Sequence, residues 1–202
     1  MSLHSCQNTQ GGPAMRNQSG FTLIELLIVV IVLVIIAAIA IPNINQANAS
    51  YKLDTAGHSV AGLLQQARMQ AVKTNLPAYA KYDNTGLVFV TGDPSLAYSS
   101  GNPDVALPAG LSFPATPPEH SQLDGYVGGT GQISANIAFN ARGLPCTINT
   151  ANPAVCLSTT TGYEWFIQNS SGGGWEAITV TPAGRVKSWR LTGTSASIST
   201  WQ

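Results

Sequence analysis

Charge is what this chain has least of. Only 9% of its 202 residues are Asp, Glu, Lys or Arg, and nine basic side chains offset nine acidic ones. No bulk field of either sign exists to hold a nucleic acid or another polyion. Cysteine is scarce too: there are three, and no C-x-x-C pair, which removes the common zinc-ribbon and dithiol-redox patterns. Of the histidines, His58 falls on a predicted helix and His120 in an irregular stretch, and neither has a Ser–Asp or Cys arrangement nearby in the sequence. Asp83, Asp93, Asp104 and Asp124 lack the spacing of a calcium loop. Gly172-Gly173-Gly174 leads into a strand, not a helix, so it is not a phosphate cradle. All of these read as turn chemistry. The expectation is a non-enzyme with no catalytic residues, no metal set and no cofactor. No internal repeat is visible.

What is present is a long apolar run, Phe21–Ile41, in which only Thr22 and Glu25 are plainly polar. As a helix it spans roughly 30 Å, about one hydrocarbon core. An acid in such a segment costs about 2.5–3.5 kcal/mol at mid-membrane and less near its end, so it needs a partner. Cleavage after Gly20 would create a positive one, the free amine of Phe21.

Gly20-Phe21-Thr22-Leu23-Ile24-Glu25 resembles the processing site of type IV prepilins and type II secretion pseudopilins. The resemblance implies that a membrane peptidase cuts after Gly20 and N-methylates Phe21. It also implies that Glu25 pairs with a neighbouring subunit's terminal amine during filament assembly. Pro42 matches a proline that many pilins carry at this distance from the cut.

Met15-Arg16-Asn17-Gln18-Ser19-Gly20 is by itself a short basic leader, which points to Met15 as the start, with residues 1–14 an upstream extension. Arg16 keeps the leader cytoplasmic by the positive-inside tendency and exports the chain beyond Ile41. The expected organisation is a removed leader, 1–20; a transmembrane or filament-core helix, 21–41; an amphipathic continuation, 42–76; and a β-rich periplasmic domain, 77–202. Roughly 180 residues remain after cleavage, enough for one membrane helix and one compact domain. Cys6 leaves with the leader. Cys146 and Cys156 remain, and in an oxidising compartment an even pair reads as a disulfide.

Beyond Pro42, which should kink or loosen the helix, an apolar stripe recurs at helical spacing: Tyr51, Leu53, Ala56, Val60, Leu63, Leu64, Ala67 and Ala71. Asn75-Leu76-Pro77 ends it. Ala78–Asp83 and Leu87–Thr91 flank the hairpin signal Asn84-Thr85-Gly86. Residues 92–131 are rich in Pro, Gly and Ser and read as irregular, with a short strand at Leu111–Phe113. Ile133–Phe139, Tyr163–Gln168, Trp175–Thr181 and Arg185–Leu191 are the remaining expected strands. Glycine, proline and small polar residues are frequent, as in loop-rich secreted β domains. The fold class expected is α+β.

Ile137-Ala138-Phe139-Asn140-Ala141-Arg142-Gly143, followed later by Val180-Thr181-Pro182-Ala183-Gly184-Arg185-Val186-Lys187, is similar to the GspH/FimT branch of pseudopilins. That resemblance implies a type IV pilin-like fold, a long N-terminal helix packed on antiparallel β-sheets. It implies a minor subunit of a secretion pseudopilus or a type IV pilus. The partners it implies are other pilin or pseudopilin subunits, the prepilin peptidase, an inner-membrane assembly platform and membrane lipid. Some pilus-associated members bind DNA during natural transformation through a Gly-Arg-x-Arg motif; the matching positions here are Gly184, Arg185, Val186 and Lys187. Lysine keeps the charge but lacks arginine's fork. On a strand, Arg185 and Lys187 would share a face that Arg190 does not. Trp189 and Trp201 are the aromatic candidates for stacking.

Overall fold

The structure, a computed structural model, describes residues 21–83, 85–93, 95, 97–114, 116, 118–148, 156–170, 174–192 and 200–201. Residues 1–20, where a leader ending at Gly20 is expected, and the side chain of Trp201 lie outside the described residues. The chain divides into two compact units, Met1–Asn43 and Ile44–Gln202.

Helix α1, Leu23–Thr74, runs through both. Thr22 opens it: its Oγ1 accepts from the Glu25 N–H at 3.3 Å, and its carbonyl accepts the first helical bond, from Leu26 N–H at 3.2 Å. Pro42 sits inside the helix without breaking it. It has no N–H to donate, and next to it the Asn43 side-chain amide donates to the Ile39 carbonyl at 3.1 Å. At the far end Asn75 adopts a left-handed φ of 55°, the turn-off that Asn tolerates, and Pro77 follows.

The second unit holds twelve described strands and one more helix. Strands β1 (Ala78–Tyr82), β2 (Leu87–Thr91), β3 (Asp104–Ala106), β6 (Asn136–Phe139), β7 (Pro145–Ile148) and β8 (Cys156–Ser158) form the first sheet, in the order β3-β2-β1-β6-β7-β8. Strands β4 (Leu111–Ser112), β9 (Tyr163–Asn169), β10 (Trp175–Val180), β11 (Val186–Thr192) and β12 (Thr200–Trp201) form the second, in the order β12-β11-β10-β9-β4. Helix α2 is Ser121–Val127. All pairings are antiparallel except that of β5 (Gln132–Ile133), which joins β9 in parallel.

The second half of α1 is the common floor of both sheets. Leu53, Ala56, Val60, Leu63, Leu64, Ala67 and Ala71 are buried with Ala78, Ala80, Val88, Val90, Ile137 and Phe139 of the first sheet. Tyr163, Trp165, Ile167, Ile178 and Val180 of the second sheet complete this cluster. The opposite face of the second sheet is covered by α2, where Leu123 packs with Phe166, Ala177 and Trp189.

Several expectations are corrected. Tyr51 is 70% exposed, so the stripe begins at Leu53, and buried Gly57 joins it. Ile133–Phe139 is not one strand. It breaks at Ser134, whose carbonyl accepts from Trp165 Nε1 at 2.6 Å and whose hydroxyl accepts from the Asn136 N–H at 3.2 Å. This bend sends β5 to the second sheet and β6 to the first. Residues 92–131 are not all irregular: they contain β3, β4 and α2. Strand β11 starts at Val186, which leaves Arg185 in the preceding turn.

Candidate functional site

The first candidate is the start of α1. From Phe21 to Ile41 nearly every apolar side chain is exposed, from Leu23 and Ile24 to Ile39 and Ile41. Among the described residues this is the one helix long and apolar enough to cross a membrane. Fully burying a side chain of this size is worth about 1.5–3 kcal/mol, so leaving them exposed on every side of a helix is strongly unfavourable in water. Glu25 is at the third helical position, where the unpaired N–H groups favour an acid. Phe21 stands 81% exposed just before the helix.

The second candidate is the turn and strand from Gly184 to Arg190. Gly184 has a φ of 79°, and a Cβ there would run into the carbonyl oxygen of Gly143 and lie 3.2 Å from Arg68 Nε. Arg68 of α1 donates from Nε to the Gly143 carbonyl at 3.0 Å. Gly143 itself has a φ of 73°. The two glycine turns therefore meet under one helix arginine, and Gly184 is a docking residue of the fold. The turn is closed by Thr181, whose N–H donates to the Arg185 carbonyl at 2.9 Å and whose Oγ1 accepts from the Arg185 N–H at 3.1 Å.

The cations do not share one surface. Arg185 is exposed in the turn. Lys187 is half-buried, with its ammonium 3.3 Å from the centroid of the Trp189 ring and 5.8 Å from that of Tyr126. Arg190 points to the other side of β11, opposite Glu176 in the β10–β11 register. Trp189 is also held by its Nε1, which donates to Thr179 Oγ1 at 2.8 Å.

Cys146 and Cys156 form a disulfide with Cα atoms 5.4 Å apart. It links the paired strands β7 and β8 diagonally and packs with Tyr79 and Ala138 on the outer face of the first sheet.

Two buried acids escape a reading of the sequence alone. Glu164 on β9 lies beneath α2, near His120 and Asp124, which sequence spacing assigns to turns. Burial first, then the charge of Asp124, push its carboxyl up to about 7. Glu176 on β10 lies against Gly57 of α1, and burial, then the charge of Asp54, push it up to about 8 despite the opposing pull of Arg190. Alternation along β9 and β10 marks neither acid, because both faces of the second sheet are covered.

A family model described as the prokaryotic N-terminal methylation motif matches residues 15–41. No curated protein matches the chain. Among solved structures, the chain is similar to the type IV minor pilin FimU of Pseudomonas aeruginosa. The identity is 17%, over 75% of this chain and 94% of that one, with a TM-score of 0.45. A second crystal form of FimU aligns at 15% identity over 73% of this chain and 97% of that one, with a TM-score of 0.45. The minor pseudopilin EpsH of the Vibrio cholerae type 2 secretion system aligns at 10% identity over 68% of this chain and 95% of that one, with a TM-score of 0.41.

Proposed function

We propose that this chain is a minor pilin or pseudopilin, a structural subunit that enters a type II secretion pseudopilus or a type IV pilus through its N-terminal helix. The observation that carries the reading is the methylation motif at residues 15–41 coinciding with an apolar half-helix whose side chains are exposed among the described residues. Before assembly that surface is covered by the inner membrane, with the β-rich unit in the periplasm. After assembly it is covered by the helices of other subunits. Processing after Gly20 supplies the Phe21 amine, and Glu25 selects register by pairing with the amine of a neighbour. Inside a low-dielectric bundle, a mispaired acid would be strongly disfavoured. The prepilin peptidase and the assembly platform are the remaining partners.

The test is Glu25→Ala in the cell of origin. The variant is expected to be processed, N-methylated at Phe21 and membrane-inserted, yet missing from sheared filaments. Normal recovery of the variant in the sheared fraction, or a mature N-terminus other than methylated Phe21, would refute the proposal.

DNA binding through Gly184, Arg185, Lys187 and Arg190 gains nothing from this geometry. One cation is in the turn, one is stacked on tryptophan and one faces away.

A further inference from the structure

Under α2 three donor side chains from two elements converge. His120 stands at the entry to α2 and Asp124 one turn further on, so their spacing puts both on one helix face. That face lies over β9, where Glu164 projects on the same side as Phe166, which packs with Leu123 of α2. His120 Nδ1 is 3.2 Å from Glu164 Oε2. One donor atom from each of His120, Asp124 and Glu164 falls within 4.8 Å of both others.

The three side chains are underused. Glu164 is 0% exposed, and beyond the His120 contact neither of its carboxylate oxygens has a hydrogen-bond partner among the described residues. Asp124 Oδ1 is also buried without one among the described residues, and His120 Nδ1 is buried with Glu164 as its one contact there. Among the described residues no Lys or Arg pairs with Glu164. Buried polar groups are nearly always satisfied, and each exception calls for an occupant or a cause. The backbone also makes room: a Cβ on Gly131 would lie 2.6 Å from Glu164 Oε1, so glycine at that position lets the carboxylate lie where it does.

We propose that His120, Asp124 and Glu164 bind one divalent transition-metal ion, of the zinc class, that fastens α2 to β9. One imidazole nitrogen and two carboxylate oxygens are a borderline donor set. It suits zinc better than calcium or magnesium, which take oxygen-only shells. Ligands about 2.0–2.2 Å from a tetrahedral ion lie roughly 3.4 Å from one another, against 3.2 Å for the His120–Glu164 pair and at most 4.8 Å for the others. Two carboxylates and a neutral imidazole carry two negative charges, which a divalent ion cancels without any protein cation. The site stands independently of filament membership.

The test uses the full chain in mild detergent, in a Cys6→Ser background that removes the cysteine outside the disulfide. The protein is stripped with a chelator and titrated with zinc sulfate by calorimetry. Cobalt(II) absorption serves as the second readout. The expected result is one zinc per chain and cobalt bands of a low-symmetry N/O site. Asp124→Asn, His120→Ala and Glu164→Gln should each weaken binding by about tenfold or more. Should Glu164→Gln fail to fold, the two partly exposed positions, His120 and Asp124, still decide the matter. His58→Ala is the control, because His58 Nε2 and Asp54 Oδ1 form the other His–carboxylate pair, 3.6 Å apart on the surface. Absence of zinc binding overturns the proposal. So does binding that survives His120→Ala and Asp124→Asn, or binding that is lost with His58→Ala.

Discussion

Replacing Glu176 by Gln should flatten the pH dependence of stability. Glu176 is 2% exposed, its Oε2 has no hydrogen-bond partner, and a Cβ on Gly57 would sit 2.8 Å from its Oε1. The charged groups that act on it are Asp54 on α1 and Arg190 on β11, and Asp54 is itself paired with His58, which contacts Ser188 of β11. Burial, then Asp54, raise its carboxyl from 4.5 to about 8. The folded chain therefore keeps a proton that the unfolded chain releases. Between those two values the native state binds more protons, so stability falls as pH rises. Each unit of difference is about 1.36 kcal/mol, and from pH 5.5 to 8.5 the loss from this group is about 3 kcal/mol. The assay is thermal or denaturant unfolding of the full chain in mild detergent, followed by near-ultraviolet circular dichroism across that range. The wild-type curve minus the Glu176→Gln curve isolates this group from every other titration. Parallel curves would refute the reasoning, as would a wild type that gains stability relative to the variant as pH rises.

Three further outcomes rest on the packing. Leu64→Ala removes a fully buried side chain at the floor of both sheets and should lose about 2–5 kcal/mol in denaturant melts. Gly184→Ala, at a φ of 79° and against the Gly143 carbonyl, should lose more than about 1 kcal/mol, whereas Arg185→Ala in the same turn should stay within about 0.5 kcal/mol. Opening the Cys146–Cys156 bridge, whose partners are 10 positions apart, should lower stability by roughly 2–3 kcal/mol, read as a shift in midpoint between oxidised and Cys146→Ser/Cys156→Ser protein.

What could be read from the residues was whatever repeats with a period or carries a turn signature. The stripe from Leu53 to Ala71 has helical spacing and is buried as expected. The β1–β2 hairpin is set by Asp83 and Gly86: the Asp83 carboxylate accepts from the Thr85 and Leu87 N–H groups, each at 2.9 Å, and Gly86 takes a φ of 82°. Helix α2 escaped because seven residues, one of them Gly125, make too short a window for periodicity. It is held by Leu123 and Val127 against the sheet, which is tertiary information. Glu164 was hidden by the same fact. In Tyr163–Gln168 it alternates like a solvent-facing residue, and only the presence of α2 makes that face an interior. The turn at Gly184 shows the converse, a structural role that its residues do not announce. Its glycine lies where the Gly143 turn and Arg68 meet, a long-range contact that no local pattern marks.

Glu25 is the residue for which local and collective explanations compete most directly. Thr22 and Glu25 have the spacing of a capping box, and the Thr22 hydroxyl already accepts from the Glu25 N–H. An acid at this position stabilises a helix start by about 0.3–1 kcal/mol, and the hydroxyl cap by about 1 kcal/mol. If capping were the whole role of Glu25, Thr22→Ala would damage assembly at least as much as Glu25→Gln. If Glu25 answers a neighbour's amine, the order reverses. Thr22→Ala should leave subunits recoverable from sheared filaments, and Glu25→Gln, which keeps size and hydrogen-bonding capacity but removes the charge, should not. Filament recovery for the pair, normalised to the amount of processed protein in the membrane, separates the two. Equal loss in both variants would reduce Glu25 to a helix cap and remove charge pairing from the assembly mechanism.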